Sequence, residues 1–167
     1  ARAVVAVHGG NAAVMGTNPI ARAVPGDGAP LMHFDFSTSA VALGKITMAK
    51  AAGTPIPLGW AVDANGVPTT DPEAALKGAL VSAGGYKGWG FGLMVELLAA
   101  GMTGSVNSLD VKGLKLPDGA PHGLGQFYIL MDPATYGDSF NDRFARVADA
   151  VARLFCPSDP ADPPPQR

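Results

Sequence analysis

The sequence predicts a mixed α/β fold that is not a doubly wound nucleotide-binding sheet. Three observations carry this. Short apolar runs and helical repeats follow one another irregularly, without the regular strand–helix alternation of a parallel sheet. The glycines at 88, 90 and 92 are spaced two apart with no good strand directly before them, which fails the dinucleotide fingerprint. Of 167 residues, 47% are hydrophobic and 16% charged, a globular balance with room for one real core.

Taken in order, residues 3–7 form a short apolar run closed by Gly9 and Gly10, and 19–24 form another closed by Pro25 and Gly26. Both read as strands. Residues 31–37 alternate: Met32, Phe34 and Phe36 share one face, expected to be core, and His33, Asp35 and Ser37 the other. Ser39 is placed to cap a helix in which Leu43, Ile46 and Ala49 recur until Gly53 stops it. "GWAVDANGVPTTDPEAALKG" (59–78) predicts a strand, an Asn65-Gly66 turn and a short helix. That helix opens on a Thr70–Glu73 capping box and stops at Gly78.

"GGYKGWGFGLMVELLAAGMTG" (84–104) predicts a helix whose buried stripe is Phe91, Val95, Leu98 and Met102. After a polar loop over 105–123, "GQFYILMDP" (125–133) reads as a strand. Phe140, Phe144, Val147, Val151 and Leu154 then mark a last amphipathic helix. We expect one region over 1–154. Residues 155–167, "FCPSDPADPPPQR", have no periodicity and read as a disordered or non-native tail.

Composition excludes several function classes. A net charge of -2 leaves no basic footprint for nucleic acid or anionic membrane, and no apolar run is long enough for a helical span. The single cysteine, Cys156, allows no internal disulfide, and no Cys/His cluster has metal-ligand spacing. The expectation is a cytoplasmic protein without a metal. The chain opens on Ala1 rather than methionine, so preceding sequence is expected.

The residues alone leave the chemistry open. Lys87 among glycines at a helix start suits either an anion site or close helix packing. Asp35 and Ser37 at a strand end suit a ribose and phosphate, or plain capping. "GTNP" (16–19) offers a hydroxyl and an amide, or an ordinary turn. His8, His33 and His122 can each carry a proton, but none has a visible orienting partner.

"HGGN", "GTNPIA", "FDFSTSAVALGKI", "IPLGWAVDANGVPTTDP", "GGYKGWGFGLMVELLAAGMTG" and "LGQFYILMDP" occur in this order from about residue 4 to residue 154. Together they resemble the malate/L-lactate dehydrogenase family of NAD(P)-dependent oxidoreductases. That family includes sulfolactate and ureidoglycolate dehydrogenases and Δ1-piperideine-2-carboxylate reductases. The resemblance implies a non-Rossmann nicotinamide-binding fold with a largely antiparallel sheet flanked by helices, working as a homodimer on a small carboxylate substrate. It further implies NAD or NADP contacts at Asp35, Phe36 and Ser37, and a substrate bordered by Thr17, Leu43, Gly44, Tyr86 and Lys87.

The chain also departs from the family. The proton-donating Ser-His segment near the family's N-terminus has no equivalent here, so no catalytic residue is assigned and both ends are expected to be incomplete. Position 43 is leucine where the piperideine-carboxylate reductases carry a polar residue, which favours a 2-hydroxy or 2-oxo acid over a cyclic imine. The rival from another class is a non-catalytic remnant that binds a nucleotide or dimerises.

Overall fold

Very short strands build the main sheet. A computed structural model describes residues 2–26, 28–112 and 121–155. In it β1 (Val5–Ala6), β2 (Ala13–Met15), β5 (Ala61–Val62) and β6 (Ala79–Leu80) make one sheet in the order β2-β1-β6-β5. The β1–β2 and β5–β6 pairs are antiparallel and the central β1–β6 pair is parallel, with Val5 opposite Leu80. A second sheet is the two-stranded pair β3 (Ile20–Val24) and β4 (Met32–Phe36). The helices are α1 (Leu43–Ala52), α2 (Pro72–Lys77), α3 (Tyr86–Glu96) and α4 (Phe140–Phe155). A π-helical turn, Leu97–Gly101, extends α3, and a 3-10 turn spans Pro133–Tyr136.

The chain divides into two compact units, 1–20 with 35–128, and 21–34 with 129–167. In the first, alternation along β1 and β6 sorts side chains onto two faces. Val5 and Leu80 join Met15, Ile46 and Ala75 in the main core, and Ala6 and Ala79 join Val62 in a smaller cluster on the other face. α1 and α2 cover the first face, Ile46 being fully buried. The second unit holds most of the β3–β4 pair together with α4, whose Phe140 and Phe144 rings stack at 5.9 Å.

Gly53 ends α1 at φ 64 and Gly66 makes the turn after Asn65 at φ 83, both as their sequence predicts. The caps differ. Asp71, not Thr70, caps α2, accepting the Glu73 and Ala74 N–H groups, because Pro72 occupies the first helical position and sets the cap one residue before it. Glu73 is thereby free to pair with Lys77 at 3.2 Å. Ser39 does not cap α1: the helix starts four residues later behind Ala42, and the Ser39 hydroxyl donates to the Val41 carbonyl.

Three burial expectations fail. Phe34 and Phe36 are 39% and 48% exposed, because among the described residues the sheet that carries them has only two strands. Along α3 and the turn after it Gly92 is buried, Val95 and Leu98 are half-buried, and Phe91 and Met102 are exposed. Residues 125–132 are not a strand; Leu130 is 90% exposed and no described strand pairs with the segment. β-propensity without a partner to accept its hydrogen bonds leaves extended coil. The tail from 156 onward lies outside the described residues, and Phe155 closes α4.

Replacing Ile46 by alanine is expected to cost about 2–5 kcal/mol through the cavity it leaves. Met48→Ala, two residues on and 72% exposed, should stay within about 0.5 kcal/mol. Urea denaturation of both variants checks the contrast.

Candidate functional site

A ladder of backbone hydrogen bonds sets three segments that carry or flank some of the sequence-predicted residues side by side in the first unit. Thr38 N–H and Thr38 Oγ1 both donate to the Thr17 carbonyl, at 2.9 and 3.1 Å. Ala83 N–H donates to the Thr38 carbonyl at 2.9 Å, Ala40 N–H donates to Val81 O at 2.8 Å, and Ser39 bridges Ser82. Segments 16–18, 37–40 and 81–83 therefore lie side by side. Ser37 neighbours Thr38, and Tyr86 and Lys87 follow three and four residues after Ala83. Asp35 and Phe36 are exposed at the end of β4, while the Ser37 hydroxyl lies 3.1 Å from that of Ser39.

The start of α3 reaches this place because its inward face is glycine. A Cβ on Gly88 would overlap the Ala83 carbonyl, and one on Gly92 would sit 2.9 Å from Met15 Cε and Thr38 Oγ1. Of the two readings open for these glycines, close packing is the one with a specific cause. Tyr86 is 64% exposed, its ring edge-on to His8 at 6.1 Å, and Lys87 Nζ lies 6.0 Å from the Tyr86 centroid. His8 thus gains a partner that the sequence did not reveal. Leu43 and Gly44 occupy the first turn of α1, behind a cap residue without a capping side chain. They share the unit with Thr17 and Tyr86, with no hydrogen bond between them among the described residues. His33 lies exposed on β4, and His122 is half-buried in the coil after the loop.

Beneath the ladder sits a polar node that the sequence reading missed. Glu96 accepts three hydrogen bonds: from Ser108 N–H at 2.6 Å, from the Ser108 hydroxyl at 2.6 Å and from Asn18 Nδ2 at 2.8 Å. Asn18 Nδ2 also donates to the Gly92 carbonyl at 3.0 Å, and Gly16 N–H donates to Ser108 Oγ at 2.9 Å. The available signal was Glu96 itself, the one carboxylate in the apolar run from 84 to 104. Burial pushes the Glu96 carboxyl up, but the hydrogen bonds from Ser108 N–H, the Ser108 hydroxyl and Asn18 outweigh it and hold the group below the usual glutamate range.

A carboxyl with a depressed folded pKa stabilises fully above its unfolded value, and that contribution is lost as pH falls through the folded value. Because Glu96 is only partly buried and solvent screens its charge, Glu96→Gln is expected to remove about 0.5–1.5 kcal/mol at neutral pH. The difference from the unaltered chain should shrink as pH falls from the ordinary glutamate value through the lower one. Thermal melts of both proteins across that range measure it.

The model of the malate/L-lactate dehydrogenase family matches residues 1–163. Over 151 residues the chain is 42% identical to the (2R)-3-sulfolactate dehydrogenase (NADP(+)) of Chromohalobacter salexigens, covering 90% of this chain and 45% of that protein. Over 147 residues it is 45% identical to the Δ1-pyrroline-2-carboxylate/Δ1-piperideine-2-carboxylate reductase of Pseudomonas aeruginosa, covering 86% and 43%. The solved sulfolactate dehydrogenase of Methanocaldococcus jannaschii superposes with a TM-score of 0.78 at 34% identity, covering 98% of this chain and 47% of that one. The chain therefore spans about half the length of the relatives it matches. With that match running along nearly all of its residues, the chain belongs to the malate/L-lactate dehydrogenase family of oxidoreductases.

Proposed function

We propose that this chain is the central part of an NAD(P)-dependent oxidoreductase acting on a small 2-hydroxy or 2-oxo acid. The observation that carries it is the ladder through Thr17, Thr38 and Ala83, which sets Thr17, Ser37 and Tyr86 on adjoining segments of one unit.

The donor and acceptor set fits a nicotinamide dinucleotide. Asp35 presents an exposed carboxylate for sugar hydroxyls, Ser37 a hydroxyl, and Phe36 an exposed ring face for a planar group. When bound, the cofactor supplies hydride exchange with a carbon adjacent to a carboxylate. The chain's own residues bind and orient. Lys87 offers a cation to the substrate carboxylate, Thr17 and Tyr86 border the substrate, and the family resemblance adds Leu43 and Gly44, in the first turn of α1, to that border. None of them is assigned the proton-donating role. The working unit of this reading is a cytoplasmic homodimer.

A second reading is favoured by the 45% identity to a pyrroline/piperideine-carboxylate reductase. In it the substrate is a cyclic imine, with C=N in place of C=O beside the same carboxylate. Following NADPH and NADH absorbance with sulfopyruvate, oxaloacetate, pyruvate and Δ1-piperideine-2-carboxylate, in the polypeptide that carries this chain, separates the two. Reduction of the imine alone removes the oxo-acid reading, and no turnover with any of them favours a nucleotide-binding or dimerising remnant.

Asp35→Ala is expected to leave the fold intact, since the side chain is exposed. Losing a hydrogen bond to a charged group, about 1.5–3 kcal/mol, weakens NAD(P)H binding about ten- to a hundredfold. Fluorescence titration of the folded variant checks this, and an unchanged dissociation constant removes Asp35 from the cofactor site.

A further inference from the structure

We infer that Glu96 is a positioning residue for Thr17: acting through Asn18 and Ser108, it holds the turn that presents the Thr17 hydroxyl to the substrate. The inference rests on the assignment of Thr17 to the substrate site.

Asn18 is 5% exposed and has φ 32, a conformation that side-chain-bearing residues rarely adopt, immediately before Pro19. Such a backbone persists only where its surroundings over-determine it. Here they do. The Asn18 amide nitrogen serves two pure acceptors, Gly92 O and Glu96 Oε2, so the side chain cannot flip without losing both. Glu96 cannot swing away, because its other oxygen takes Ser108 N–H at 2.6 Å. On the other side of Thr17, Gly16 N–H is tied to Ser108 Oγ. Both neighbours of Thr17 are thus bonded into one node and its carbonyl is taken by Thr38. Its hydroxyl makes no hydrogen bond among the described residues.

Only a carboxylate suits the node. Three donors converge on the two oxygens, and a glutamine would turn an N–H toward either Ser108 N–H or the Asn18 amide. Misplacing a binding group by about 1 Å can cost on the order of a hundredfold, so a loosened turn acts on the ligand as well as on stability.

The test compares Asn18→Gly, Glu96→Gln and Thr17→Ala in the polypeptide that carries this chain. Glycine accepts the backbone of position 18, so that variant removes only the amide. Pyruvate and Δ1-piperideine-2-carboxylate are the substrate-type probes, titrated calorimetrically beside NADPH. For Asn18→Gly and Glu96→Gln we expect the Thr38 N–H, bonded to Thr17, to exchange about tenfold faster, while the Leu80 N–H, bonded to Val4, does not change. The bound probe should weaken about tenfold or more, with NADPH affinity held. Equal acceleration at Leu80, or unchanged exchange at Thr38, overturns the inference. If Thr17→Ala weakens the probe and the other two variants do not, the positioning role alone falls. If Thr17→Ala has no effect, or the unaltered chain binds neither probe, the assignment of Thr17 falls and the inference with it.

Discussion

The Glu96 carboxylate is the point on which the arrangement of the first unit depends. It draws together residue 108, the turn at 16–18 and the end of α3, segments far apart in sequence, through three short hydrogen bonds. Ser108 carries the tie further, because its carbonyl accepts from Ala3 N–H at 2.8 Å at the entry to β1. Polar groups taken out of water must all be satisfied, and this node satisfies them with donors and acceptors that cannot be exchanged. It constrains geometry where a hydrophobic contact would only constrain volume.

The second constraint is steric. Gly88 and Gly92 let α3 lie against Ala83, Met15 and Thr38 with no side chain between. That approach puts the Gly92 carbonyl within reach of Asn18 and seats Tyr86 and Lys87 beside the ladder. Phe91 of α3, and Leu97 and Met102 in and after the turn that follows it, are each exposed. The π-helical turn that follows Glu96, closed by Met102 N–H on Leu97 O, lies where such turns recur beside functional positions.

The site is thus assembled from loops and element ends rather than from element interiors. Thr17 lies after β2, Ser37 after β4 and Tyr86 at the first turn of α3; the Thr17 carbonyl is held by Thr38, and the Ser37 hydroxyl lies beside Ser39. Rigid strands at Val5 and Leu80 hold the floor, and the chemistry-bearing side chains stand on the segments that leave it.

What the sequence by itself determined is the local structure with strong local causes: the helix stopped at Gly53, the turn at Asn65-Gly66, the two strands flanking residues 25–31, the amphipathic α4, and the family, read from six ordered motifs. The site candidates came with the family resemblance, and of these Thr17 and Ser37 belong to segments that backbone hydrogen bonds set side by side. The sequence did not reveal β2 and β6, three and two residues long and alanine-containing, too short for any period to register. Nor could it show that 125–132 lacks a strand partner, that Phe34 is partly exposed, or that Glu96 meets Asn18 and Ser108. Those are decided by which segments lie side by side. Burial and hydrogen-bond partners belong to pairs of residues distant in the chain, whereas propensity, capping and turn chemistry are set by neighbours within a few positions.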